Sequence, residues 1–193
     1  VSLPPPSMSS RHPNVAALNA AIDRYHEALT AYVDKGGEDH LALLDRMVER
    51  GAVFGGRPIC SFLRPHFILR KQYATAVRAA KHFRGAVVKA KEAILSSPEL
   101  LDQMGLTDGE RRLIAINPEF KSLGVVTRLD TILWGDDFSL VELNAEGAFG
   151  VSYADRLTEL FEGFQPMREF SRTRPVTPLY MGNALVGTIL DTW

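Results

Sequence analysis

Cysteine is nearly absent from this sequence: Cys60 is the only one among 193 residues. A single thiol cannot build an internal disulfide framework or a multi-cysteine zinc site, and it suits a reducing compartment. An excess of one charge is missing too. Lysine and arginine total 22 against 23 for aspartate and glutamate, for a net charge of −1. The chain therefore lacks the basic surplus of a nucleic-acid-binding module, and no nucleic-acid partner is expected. No run of about 18 apolar residues occurs, so no transmembrane helix and no membrane partner are expected. The opening VSLPPPSMSSRHP lacks the apolar segment of a secretory signal. These absences predict a cytoplasmic protein whose residues 1–13 form a disordered leader.

Hydrophobic residues make up 46% of the chain, enough for a sizeable core. Residues 14 to about 33 carry Val15, Leu18, Ile22, Tyr25, Leu29 and Val33 at spacings of three and four, an amphipathic helix stopped by Lys35-Gly36-Gly37. A second helix is expected from about 39 to 50, with Leu41, Leu44, Met47 and Val48 inward and Gly51 beyond its end. The segment GGRPICSFLRPHFI holds two Arg-Pro pairs and reads as extended or loop, because proline biases its predecessor away from the helical region. Residue 70 to about 96 is the longest helical pattern. Short helices follow from Pro98 and from Thr107, where Glu110 stands at capping-box spacing.

Near residue 120 the character changes. VVTRLDTIL and FSLVELNA are β-rich and flank Trp134-Gly135-Asp136-Asp137, which predicts a hairpin. A loop, EGAFGVS, leads to a helix over about 153–161, then a connector, RTRPVTP, and a last helix-like run. The expected class is α+β, with a mainly helical region over 14–118 and an antiparallel hairpin-containing region over 119–193. That last run, NALVGTILDTW, has no stop signal, so the chain is expected to be the front part of a longer one.

Centring the turn on Asp136 pairs Trp134 with Phe138, Ile132 with Leu140, Asp130 with Glu142 and Arg128 with Asn144. Strand side chains alternate, so all of these would share one face. Directly opposed carboxylates repel. A hard cation bound by Asp130, Glu142 and the Asn144 amide would turn that penalty into a site, and Mg²⁺ fits a set of two carboxylates completed by waters and phosphates. Arg128 beside it would suit a phosphate oxygen. The same pattern also reads as a solvated hairpin face with Arg128 salt-bridged to either acid. A one-residue slip in register would separate the acids.

Arg128-Leu129-Asp130, a hydrophobic strand and then Val141-Glu142-Leu143-Asn144-Ala145-Glu146 resemble the R-x-D … E-x-N-A-[DE] block of ATP-grasp proteins related to glutathionylspermidine synthetase. The chain is more similar still to a bacterial group of circularly permuted ATP-grasp-like proteins, over roughly 40–193. The resemblance implies an N-terminal part of an ATP-grasp-like fold, with Mg²⁺ on Asp130, Glu142 and Asn144. It further implies Arg128 as the catalytic contact to the transferred phosphoryl group. It implies Mg²⁺ and ATP as cofactors and small-molecule carboxylate and amine substrates joined through an acyl phosphate. The remaining C-terminal half of the polypeptide would supply the adenine slot, so these residues alone are expected to be inactive. Residues 147–149 read Gly-Ala-Phe where that group carries a proline. Among substrate contacts, Glu146 follows the metal block and Tyr153 opens the next helix, while Arg57 and Arg64 could line an anionic pocket or brace a loop. Cys60 between Ile59 and Phe62 reads as packing, and the basic string along 70–91 as a solvated face. The competing expectation is a non-catalytic substrate-recognition or protein-interaction domain of the same ancestry.

Overall fold

A computed structural model describes residues 13–37, 40–117, 119, 126–135, 137–145 and 150–192. The leader apart from Pro13, and the positions Asp39, Asp136, Glu146 and Trp193, lie outside the described residues, as does most of the EGAFGVS loop. The first helix, α1 (Pro13–Asp34), ends as its Lys-Gly-Gly stop predicts. Gly36 takes the left-handed conformation (φ 77°), and the Gly36 and Gly37 amides donate to the Val33 and Tyr32 carbonyls. This closes the carbonyls that a helix end leaves open. Helix α2 (His40–Glu49) follows, then a hairpin of two very short strands, β1 (Val53–Phe54) and β2 (Arg57–Pro58). That hairpin turns on Gly55 and Gly56, both with positive φ.

The inward face of α2 is as expected at Met47 and at Leu44, which packs against the core, and differs from the expected one elsewhere. Leu43 and Met47 are fully buried, whereas Leu41 and Val48 are 65% and 56% exposed. Leu41, Leu44 and Val48 form one stripe of the helix and Leu43 and Met47 the neighbouring stripe, so spacing alone leaves the phase open. Val33 at the end of α1 is likewise exposed.

Helix α3 (Arg70–Ser96) has the predicted limits. It is followed by α4 (Pro98–Gln103) and α5 (Asp108–Ile114). At the start of α5 the Glu110 amide donates to Thr107 Oγ1 while Glu110 Oε2 accepts from the Thr107 amide at 2.8 Å, the reciprocal capping box that the spacing predicts. The Thr107 amide and, with it, the Thr107 hydroxyl donate to the Glu110 carboxyl and hold it below its ordinary range. Strands β3 (Arg128–Trp134) and β4 (Asp137–Asn144) make the second hairpin. Helices α6 (Val151–Gly163), α7 (Gln165–Thr173) and α8 (Gly182–Thr192) complete the chain. The class is α+β: mostly helix with two small antiparallel hairpins.

The core lies among α1, α2, α6 and α7 and draws on both ends of the chain: Tyr25, Leu43, Met47, Leu160, Phe161, Phe164, Met167 and Phe170. Tyr25 meets Phe67 and Phe170 edge-on, with ring centres 5.4 and 5.8 Å away. Its hydroxyl donates to the Leu63 carbonyl at 2.7 Å, so the ring's polar tip is satisfied in the core. Burial pushes the Tyr25 pKa up, opposed by the Arg64 charge. Among the described residues, no helix is long and apolar enough to cross a membrane.

Candidate functional site

The hairpin forms because β-rich strands flank a turn that begins with glycine. Gly135 sits at φ 59°, a conformation that glycine adopts without the steric cost of a Cβ. The inner pairing is as expected: Arg128 lies opposite Asn144 and Asp130 opposite Glu142. The outer pairing is not. Trp134 pairs with Asp137, Leu133 with Phe138, Ile132 with Ser139 and Thr131 with Leu140. Between Asp130 and Thr131 the register shifts by one residue, leaving Val141 as the extra residue of a bulge.

The three-residue loop and the continuous face of the expected pairing are therefore corrected in the outer half. The pairing of Trp134 with Asp137 sets one parity, and the bulge restores the other before the acids are reached. Leu140 and Phe138 accordingly share the face of Thr131 and Leu133, away from Asp130 and Glu142.

A buried amide fixes where the hairpin sits. Gln72, the second residue after Arg70 in α3, is 3% exposed. Its Nε2 donates to the Gly135 carbonyl at 2.7 Å, and its Oε1 accepts from the Leu69 amide at 3.0 Å. One side chain thus satisfies the start of α3 and the turn of the hairpin together. The sequence reading missed this role. The only signal was a glutamine three residues after the position before the helix, where a capping acceptor belongs.

On the inner face, Arg128 donates to both carboxylate oxygens of Asp130, from Nε at 2.8 Å and from Nη2 at 3.3 Å. The hydrogen bonds to Asp130, its charge and then that of Glu142 all push the Arg128 pKa up. The pair is open to solvent, with side chains 42% and 39% exposed, so it adds little to stability. Its local effect is on charge. Directly opposed carboxylates repel across a sheet, and the Arg128 charge offsets that.

Asn144 differs from its neighbours, because its amide nitrogen is buried with no hydrogen-bond partner among the described residues. Such a group costs free energy until something satisfies it. Two carboxylates and one side-chain amide supply three oxygen-bearing groups on adjacent strands. That set suits a hard cation that takes its other ligands from water and phosphate. It does not suit a self-sufficient protein cage, and no cluster of three or more histidine, cysteine, aspartate or glutamate residues fit for a metal occurs among the described residues.

Tyr153, Arg57 and Arg64 lie outside β3 and β4. Tyr153 is half-buried in the first turn of α6, just beyond Gly150 and the undescribed residues 146–149, among them Glu146. Arg57 is exposed on β2, which packs on α2. Arg64 is half-buried in the next loop, within electrostatic reach of Tyr25. Cys60 packs against the core.

Asp155 of α6 ties that helix to another. Its Oδ1 and Oδ2 accept from the Met181 and Gly182 amides, each at 2.8 Å, and so hold the start of α8. The next residue, Arg156, donates to the Gly51 carbonyl at 2.7 Å. Compared with known proteins, the chain matches no family model, no curated protein and no solved structure.

Proposed function

We propose that the β3–β4 hairpin carries the metal-and-phosphoryl corner of an ATP-dependent carboxylate–amine ligase of the ATP-grasp type. The observation that supports this reading is the inner register. Asp130 faces Glu142 and Arg128 faces Asn144 across adjacent strands, the set of groups that the R-x-D and E-x-N blocks would need on one face. In this reading Asp130, Glu142 and the Asn144 amide hold Mg²⁺, which when bound neutralises charge on the nucleotide phosphates.

The guanidinium of Arg128 supplies a fork of N–H donors to the transferred phosphoryl group, a geometry that suits phosphate oxygens. A substrate carboxylate oxygen attacks the γ-phosphorus and ADP leaves. The amine then attacks the carbonyl carbon of the acyl phosphate and inorganic phosphate departs. Catalysis in such a site comes mainly from positioning and charge neutralisation. In this reading Tyr153, in the first turn of α6, would contact the acceptor, as would Glu146, which lies outside the described residues. Arg57 and Arg64 would serve as contacts to an anionic substrate. The setting in this reading is the cytoplasm, where a lone free thiol is stable.

Binding of Mn²⁺, a paramagnetic stand-in for Mg²⁺, tests the corner in the presence of ATP. Free Mn²⁺ read by electron paramagnetic resonance should fall on adding the protein. Asp130→Asn and Glu142→Gln should each weaken binding by about tenfold or more, by analogy with the loss of a charged ligand, with unchanged circular dichroism. Equal Mn²⁺ binding by the wild type and Asp130→Asn would remove the ligase reading and leave the recognition-domain alternative.

A further inference from the structure

Every potential donor of the inner hairpin face is in place, yet the Asp130 carboxylate already has a cation. Arg128 sits two residues earlier on the same strand and the same face, and it grips both oxygens of that carboxylate, at 2.8 and 3.3 Å. A fork on both oxygens differs in consequence from an end-on contact, because it takes one lone-pair site on each oxygen and sets a positive charge where a metal would approach. Glu142, directly opposite, adds its charge to the field that holds Arg128 in place. A dication arriving alone would have to displace the guanidinium from Asp130 and then lie beside it as a like charge.

Displacement becomes favourable when a second anion receives the fork. The partner of Arg128 across the ladder is Asn144, whose amide nitrogen is buried and unsatisfied. A phosphate oxygen at this end of the face would accept from the exposed Arg128 guanidinium.

We infer that Arg128 is the resident cation of this corner, holding Asp130 until a metal–polyphosphate complex brings the phosphate to which the guanidinium transfers. The inference rests on the ligase reading above and adds an order to it. Metal and polyphosphate enter together, and free metal is held off by the protein's own arginine. Nothing covalent changes in the exchange: the guanidinium leaves one oxyanion for another, and the metal takes the carboxylate that is released.

The test uses Mn²⁺ alone, without nucleotide, on the full chain. Arg128→Gln removes the resident cation and should bind free Mn²⁺ about tenfold more tightly than the wild type, the scale expected when a competing charge is taken from a half-exposed carboxylate. Arg128→Lys keeps the charge without the fork and should fall between them. It also provides a reading should Arg128→Gln fail the circular dichroism check. The double variant Arg128→Gln/Asp130→Asn should lose the gain, which separates an effect at the corner from the change in net charge.

Equal or weaker binding by Arg128→Gln, or a gain that persists in the double variant, overturns the inference. Neither result touches the ligase reading if Mn²⁺ with ATP still distinguishes the wild type from Asp130→Asn. Failure of that second comparison removes the reading itself.

Discussion

The hydroxyl of Tyr180 donates to the Glu162 carboxylate, and the hydrogen bond to that acceptor raises the phenol's pKa from 10.0 to about 12. Because the folded chain keeps this proton after the unfolded chain has released it, the pair contributes to stability below pH 10. The contribution disappears as pH rises through about 12. Tyr180→Phe should therefore melt below the wild type at neutral pH, with the two melting temperatures converging between pH 10 and 12. A difference that stays constant across that range would mean that the bond contributes nothing. Arg128 is a different case at the same scale. Its partner is set by adjacency along one strand, and its pairing matters for what Asp130 can bind rather than for how firmly the chain folds.

A two-stranded hairpin is marginal by itself in water, so β3 and β4 need an anchor on another element. Gln72 is that anchor, since its amide joins the Leu69 amide at the start of α3 to the Gly135 carbonyl in the turn. Gln72→Ala would leave a buried carbonyl without its donor, at a cost of roughly 1–3 kcal/mol. The loss should be concentrated in one element: amide exchange along β3 and β4 should speed up by more than along α1 or α7. Uniform acceleration across the chain would show that Gln72 supports the whole fold and not the hairpin. The bulge at Val141 matters at this scale as well. By inserting one residue it lets an apolar pair, Leu133 and Phe138, sit on one face while Asp130 and Glu142 face each other on the opposite one.

Across the whole molecule, one hydrophobic core joins α1 and α2 to α6 and α7, helices separated in sequence by α3, α4, α5 and the hairpin. Phe170 of α7 is 4% exposed and meets the rings of both Tyr25 and Phe67. Phe170→Ala should cost about 3–5 kcal/mol, read as a lower midpoint in urea. Because its contacts lie on α1 and in the loop before α3, fluorescence and circular dichroism should still report a single coincident transition. Two separated transitions would show that the N-terminal helices fold independently of α6 and α7.

Features set by neighbours along the chain could be read from the residues alone. The limits of α3, the Thr107–Glu110 capping box, the glycine stops after α1 and α2 and the pairing of Asp130 with Glu142 all depend on interactions within a turn, a helix end or one hairpin. Helix α7 is the local element that reading passed over, although Phe164, Met167 and Phe170 recur at helical spacing with Pro166 near the start. The rest depended on competition between groups far apart in sequence. Which stripe of α2 turns inward was decided by what packs on it, since two adjacent stripes are both apolar. The Gln72 amide meets Gly135 across 63 positions, and Arg156 meets the Gly51 carbonyl across 105. Asp155 caps a helix that begins 27 residues later. Buried hydrogen-bonding groups must find partners wherever the fold brings one, and no local pattern names a partner that only folding places beside them.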